Sequence, residues 1–357
     1  MFMRKLFKLI LAFFFGGQAL AQKTNTEDLS ILFVGNSFTH MNEMPFIFDR
    51  MAKSKGKSIH VEMNTRSGAT FHVHTTRPDL FEAINSRQWD FVVLQGMSRE
   101  LTHDPEILDT ATMPYIRQIL DSVYANDSCT NVLLYMTWGY KEGYPEREDI
   151  ATYELMADKI ALGYQYLSDT LKLPIVPVGM VWKEVCKKYP EMELYDADKM
   201  HPGKNGSYIA ASTFYTALFN ESPEGAITST ISNENAPKIQ KIASDYVLNN
   251  YTKYGLDVNR YDIKTIRAVD GKFMLHGKTN FPEATSVNWD FGDGTNSTNL
   301  NPTHRYQKPG IYKITLTIED TCGTRLIERT AIFKEPKKPV AKPKAKPKKG
   351  NTPKKKI

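Results

Sequence analysis

"ILFVGNSFTHMNEMP", Ile31 to Pro45, runs four apolar residues into Gly-Asn-Ser and then loses its strand-like pattern. An unbroken Ile/Leu/Phe/Val run is what a strand buried on both faces needs, as in a parallel sheet covered by helices. The turn that ends it presents one hydroxyl, Ser37, with His40 close behind. Asn and Ser are good turn residues that bond their own backbone, and Ser37 would then do no more than cap a helix. The chemical use of such a serine is as a nucleophile, because open α/β sheets place their sites at the carboxyl ends of strands. The choice turns on whether partners for Ser37 occur elsewhere in the chain.

Working outward, apolar runs alternate with segments of helical period as far as about residue 255. "LSILFVG", "SIHVEM", "DFVVLQG", "NVLLYMTW" and "LPIVPVGMVW" read as buried strands. Between them, "PEILDTATMPYIRQILDSVYAN" and "REDIATYELMADKIALGYQYLSDTLK" repeat their apolar residues at spacings of three and four. "NGSYIAASTFYTALFN" is a further helix, and "APKIQKIASDYVLNNYTKY" closes the domain. That order predicts an α/β fold with a doubly wound, mostly parallel sheet. After about residue 258, short alternating runs separated by turn signals predict a small all-β sandwich.

The ends of the chain bound where it works. "MFMRKLFK" is basic, "LILAFFF" is too short to span a bilayer, and Ala19-Leu20-Ala21 is a small-x-small cleavage site, so residues 1–21 are expected to be a cleaved signal peptide. The mature chain is therefore expected in the periplasm or outside the cell, without a transmembrane segment. Cys129, Cys186 and Cys322 are scattered and lack metal-type spacing, and no disulfide is expected among them. The net charge of +6 is unevenly placed: from Lys334 onward eleven Lys and one Glu give +10, leaving the rest at −4. Residues 335–357, rich in Lys and Pro, predict an extended, disordered arm. For an exported chain the partner of such an arm is an anionic cell-surface polymer rather than nucleic acid, and the plain alternative is a solvated spacer.

"WDFGDGT" carries Asp290 and Asp293, yet the later acidic ligands of an EF-hand are missing. Gly292 and Gly294 instead suit a tight turn at positive φ, with Trp289 and Phe291 pointing into a core. With "NPTHRYQKPGIYKITLTI", this stretch resembles the PKD domain, an immunoglobulin-like module frequent in secreted and surface proteins, and the module is expected over 258–334. PKD modules are mainly spacers or adhesion elements, so the resemblance bears on location more than on chemistry.

A serine attacks a carbonyl only when a base takes its proton and a third group orients that base. In "LYDADKMHPGKNGSYIAA", His201 sits in a Pro/Gly loop ahead of a helix, three residues after Asp198. A Gly-Asn-Ser turn after the first strand and an Asp-x-x-His-Pro loop before a late helix are the outer blocks of the SGNH/GDSL hydrolase superfamily, which the chain resembles from about Leu29 to Leu218. The resemblance implies a flavodoxin-like hydrolase domain over 22–257 with Ser37 as nucleophile and Asp198 and His201 as its partners. The Gly-x-Ser-x-Gly elbow of other α/β-hydrolases is absent. The resemblance also implies an oxyanion hole. The backbone N–H groups of Ser37 and of Gly68, in "NTRSGATF", match its first two donors. The third block departs from the usual Gly-x-Asn-Asp, reading Gln95-Gly96-Met97-Ser98. That is similar to the Gln-Gly-Glu variant of carbohydrate acetylesterases and makes Gln95 the expected third donor, with Ser98 the alternative.

His72-x-His74, with His103, would face one side of a strand, but no carboxylate or Cys completes a zinc set at recognisable spacing. Trp138 and Tyr140, with Tyr144, follow a strand end, where they are expected either to stack on a sugar ring or simply to cover the core. The function expected is a secreted serine esterase that removes acetyl or another small acyl group, from a carbohydrate or other small ester, without metal or organic cofactor. The alternatives are a non-catalytic surface or polysaccharide-binding protein and a lipid or thioester hydrolase.

Overall fold

A computed structural model describes residues 29–228, 231–256, 273–276, 286–320 and 322–333. The expected leader and the Lys/Pro arm lie outside these residues. The first domain is built on five parallel strands: β1 (Leu29–Gly35), β2 (Ile59–Thr65), β3 (Phe91–Leu94), β4 (Asn131–Tyr135) and β5 (Ile175–Val176), in the order β2-β1-β3-β4-β5. β1 lies between two neighbours, and Ile31, Leu32, Phe33 and Val34 are at most 1% exposed, which is why its sequence has no polar alternation.

The helices of this domain are α1 (Ser37–His40), α2 (Met44–Ser54), α3 (Phe71–Thr75), α4 (Pro78–Asn85), α5 (Pro105–Ala111), α6 (Met113–Asn126), α7 (Tyr153–Leu171), α8 (Val178–Lys188), α9 (Lys204–Phe219) and α10 (Asn235–Asn249). The step from β1 to β2 runs one way along the sheet and the later steps run the other way. Right-handed crossovers therefore set α2 against one face and α4, α6 and α7 against the other. The packing agrees, with α2, α8 and α10 on α9, and α3, α4 and α5 on α6. The direction of winding reverses between β1 and β3, so a crevice opens at their carboxyl ends, directly after Gly35.

Two expected elements come out differently. "LPIVPVGMVW" is a strand only at Ile175–Val176; Pro177 then heads α8, because a proline offers no N–H to a ladder but suits a helix start. The helical stretch from Pro105 breaks at Thr112 into α5 and α6, with Pro114 in the first turn of the second.

The second domain contains β6 (Phe273–His276), β7 (Ser286–Asp290), β8 (Asn296–Ser297), β9 (Thr303–Tyr306), β10 (Gly310–Asp320) and β11 (Gly323–Phe333), paired as β11-β10-β7-β8 and β6-β9. Every pairing is antiparallel. Its core holds Val287, Trp289, Phe291, Tyr306, Ile314, Leu316 and Ile318. Gly292 and Gly294 take φ of +74° and +87°, and the Asp293 carboxylate accepts from Thr295 N at 3.1 Å and pairs with His304 at 2.7 Å.

The cysteine expectation is corrected. Cys129 and Cys322, 193 residues apart, form a disulfide, and Cys186 is free. Cys129 lies in the turn before β4, at the end of the sheet away from the crevice. Spacing could not suggest the pair, since only the fold brings two such distant positions together.

Candidate active site

The strand-to-helix turn after β1 is held from both sides. Asn36 caps α1 by accepting from Phe38 N at 3.0 Å, and its Nδ2 donates to Ala69 O at 3.2 Å, which ties the turn to the loop carrying Gly68. Gly68 takes φ +68°, a conformation that glycine adopts without penalty. From β3, the Gln95 Oε1 accepts from Asn36 N and from Thr39 Oγ1, both at 2.8 Å. Because a backbone N–H can only donate, the oxygen of Gln95 must face the turn. Gly35 makes room for this bracket: a Cβ there would lie 2.6 Å from Gln95 Oε1.

The second half of the site is the loop between α8 and α9. Tyr195 bridges to Pro202, Gly203 N donates to Leu194 O at 2.9 Å, and Asp196 N donates to His201 O at 2.8 Å. Asn42, in left-handed backbone just beyond α1, donates through Nδ2 to Pro202 O at 2.8 Å and to Ser207 Oγ at 3.0 Å. It fastens the histidine loop to the serine segment. Sequence reading passed over Asn42, and its only signal was a turn-prone Asn among left-handed candidates after His40.

Ser37, Asp198 and His201 are brought together. Ser37 Oγ lies 2.8 Å from His201 Nε2, and His201 Nδ1 bonds Asp198 Oδ2. A carboxylate accepts only, so Nδ1 carries the proton and Nε2 is left to accept from Ser37. Partial burial pushes the Asp198 carboxyl up, but bonds from the His201 ring and from Met200 N and His201 N outweigh it and hold the group below its usual range. The backbone N–H groups of Ser37 and Gly68 make no hydrogen bond among the described residues. Both residues line a cleft of 430 Å³ with His40, Met97, Ser98, Arg99, Tyr140 and His201.

Two expected site residues stand elsewhere. Gln95 is 1% exposed and does not line the cleft; its oxygen is spent on the turn and its Nε2 donates to Gly96 O. The amide therefore braces the turn and does not face the position of an oxyanion, whereas Ser98 lines the cleft wall with its hydroxyl 3.2 Å from that of Thr137. Trp138 is also buried, stacked between Phe38 at 4.8 Å and Trp182 at 4.1 Å, and its Nε1 donates to Met200 O at 3.2 Å. It supports the serine and histidine segments from beneath and offers no face to a sugar, while Tyr140 does line the cleft. His72 and His74 lie on helix α3, not a strand; His74 is wholly buried, its pKa driven down to about 4 by burial and by Arg77. Among the described residues, no group of three or more His, Cys, Asp or Glu is placed to hold a metal ion. No helix among them is long and apolar enough to cross a membrane.

Residues 268–333 match the PKD domain family. A 63-residue stretch is 42% identical to Collagenase ColA of Bacillus cereus, covering 18% of this chain and 6% of that protein, so the chain spans only a small part of this curated relative. Among solved structures, a DUF4886 family protein from Bacteroides uniformis is similar with TM-score 0.54 and 16% identity, over 62% of this chain and 95% of that one. A putative SGNH hydrolase from Slackia heliotrinireducens is similar with TM-score 0.43 and 25% identity, over 53% of this chain and 98% of that one. The fold likeness rests on the first of these two. In class, the molecule is a five-stranded parallel α/β domain with a serine at the switch point of its sheet, followed by a module that matches the PKD domain.

Proposed function

We propose that the chain is an exported serine esterase that cleaves acetyl or another small acyl group from a carbohydrate. The observation that carries this reading is the continuous line from Ser37 Oγ through His201 to Asp198 at the mouth of the β1/β3 crevice. His201 takes the Ser37 proton as Oγ attacks the ester carbonyl and then returns it to the departing alcohol oxygen. Asp198 holds the ring in the tautomer that leaves Nε2 free and balances the imidazolium as it forms. Charge on the tetrahedral oxygen is met by the N–H groups of Ser37 and Gly68, with Ser98 at the cleft wall as the third contributor. One such donor is worth about 3 kcal/mol of barrier. Water, activated by the same histidine, then releases the acid from the acyl-serine. Export is supported by the leader-like amino terminus and by a disulfide, a bond that persists in oxidising compartments.

The test is hydrolysis of p-nitrophenyl esters of increasing chain length, followed by acetate release from acetylated polysaccharides. Turnover that is fastest on acetyl and absent in Ser37→Ala is the expected result. No turnover on any ester by the intact chain would favour a binding protein, and a preference for long acyl chains would favour a lipid hydrolase.

A further inference from the structure

Arg99 stands where two cavities meet. It lines the 430 Å³ cleft that holds Ser37 and His201, and also a neighbouring cavity of 820 Å³; Met97 and Arg99 belong to both. Among the described residues it is the only Lys or Arg in the lining of the Ser37 cleft. Its neighbour across the second cavity, Arg147, is committed to Asp149 at 2.7 Å and to Thr102 Oγ1 at 2.9 Å. Arg99 makes no salt bridge with any carboxylate among the described residues. Its guanidinium carbon lies 4.6 Å from the centre of the Tyr144 ring, it reaches the Tyr140 phenol, and its Nε is shielded from solvent without a protein acceptor.

The adjacent carboxyl is directed at other donors. Glu100 is buried, accepts from Phe71 N and Thr112 Oγ1 at 3.3 Å each, and makes no ion pair with Arg99. A guanidinium laid on an aromatic ring, partly desolvated and left without an anion, is well prepared to receive one, since its planar fork matches a carboxylate. The cavity beyond it is large enough for sugar rings and is lined by aromatic side chains, among them the pair of His72 with Tyr115 at 4.5 Å.

We propose that Arg99 and the adjoining cavity form a subsite for an acidic sugar, so that the ester substrate carries the carboxylate of a uronic-acid unit on the alcohol side of the scissile bond. This rests on the esterase reading for its chemistry but not for its binding, and the two are tested apart. In a Ser37→Ala background, trigalacturonate should bind at least tenfold more tightly than xylotriose, and the advantage should shrink as salt is raised. Arg99→Met, with its melting temperature checked, should erase most of that advantage, and Arg99→Lys should keep part of it. In the active chain, the ratio of kcat/KM on acetylated galacturonan fragments to that on acetylated xylan fragments should fall at least tenfold in Arg99→Met. Equal binding of the two trisaccharides, or an acidic preference that survives Arg99→Met, would overturn the subsite. Uronate binding that depends on Arg99, in a chain that hydrolyses no ester, would sustain the subsite and defeat the esterase reading instead.

Discussion

At the scale of single residues, the proposed reaction passes one proton between Ser37 and His201, so their contributions to rate should not be separable. Ser37→Ala should lower turnover by roughly a million-fold, His201→Ala by a similar factor, and the double variant scarcely further. Asp198→Asn should be milder, since attack remains possible through a ring in the wrong tautomer. Losses that multiply across Ser37 and His201 in steady-state assays would show that they do not act together. Gln95 offers a sharper contrast. As an oxyanion donor, its loss would slow the reaction and spare the fold. As the bracket described above, its replacement leaves Asn36 N and Thr39 Oγ1 buried without an acceptor. Gln95→Leu should therefore cost about 1–3 kcal/mol for each group left unpaired, read as a fall in the denaturant midpoint. Gln95 stood out in the sequence because it occupies the third block. Its role was hidden there, because only the placement of β3 beside β1 shows which way the amide turns.

At the scale of elements, the site is made where segments end. The β1 turn, the Gly68 loop and the Leu194–Gly203 loop are irregular pieces held by side chains from one another, with Asn36 and Asn42 as the ties. The short turn carrying Glu100 packs beside α3 in the same way, and it gives the molecule a pH dependence whose sign follows from burial. In the native protein the Glu100 carboxyl keeps its proton up to about 7, whereas the unfolded chain loses it near the ordinary 4.5. Across that window the native state binds more protons, so stability falls as pH rises. The loss is about 3 kcal/mol at most, at about 1.4 kcal/mol per tenfold change in proton affinity. Glu100→Gln, which resembles the protonated acid, should match the parent protein at about pH 4, below the unfolded pKa, and exceed it in urea midpoint at pH 8. A variant less stable than the parent at both pH values would show that the ionised carboxylate is needed instead.

At the scale of the whole molecule, two units of different texture are joined by chain and by one covalent bridge. Digestion without reductant should yield a linked peptide pair containing Cys129 and Cys322, with Cys186 the one alkylated thiol. Truncation near residue 256 would leave Cys129 unpaired while keeping all five parallel strands and the Ser37 cleft. Activity on a small soluble ester should then survive, and its loss along with the thermal transition would show that the first domain does not fold alone. The succession of parallel strands, the change to an all-β module, and the pairing of Ser37 with Asp198 and His201 were legible in the chain. Hydrophobic period and the short blocks around those residues are local properties, carried by a few neighbouring positions. The direction of Gln95, the burial of Trp138 between Phe38 and Trp182, the helical setting of His72 and His74, and the Cys129–Cys322 bridge were decided only by tertiary structure. Each depends on what a side chain meets across the fold, and contacts between residues dozens or hundreds of positions apart leave no pattern in the residues beside them.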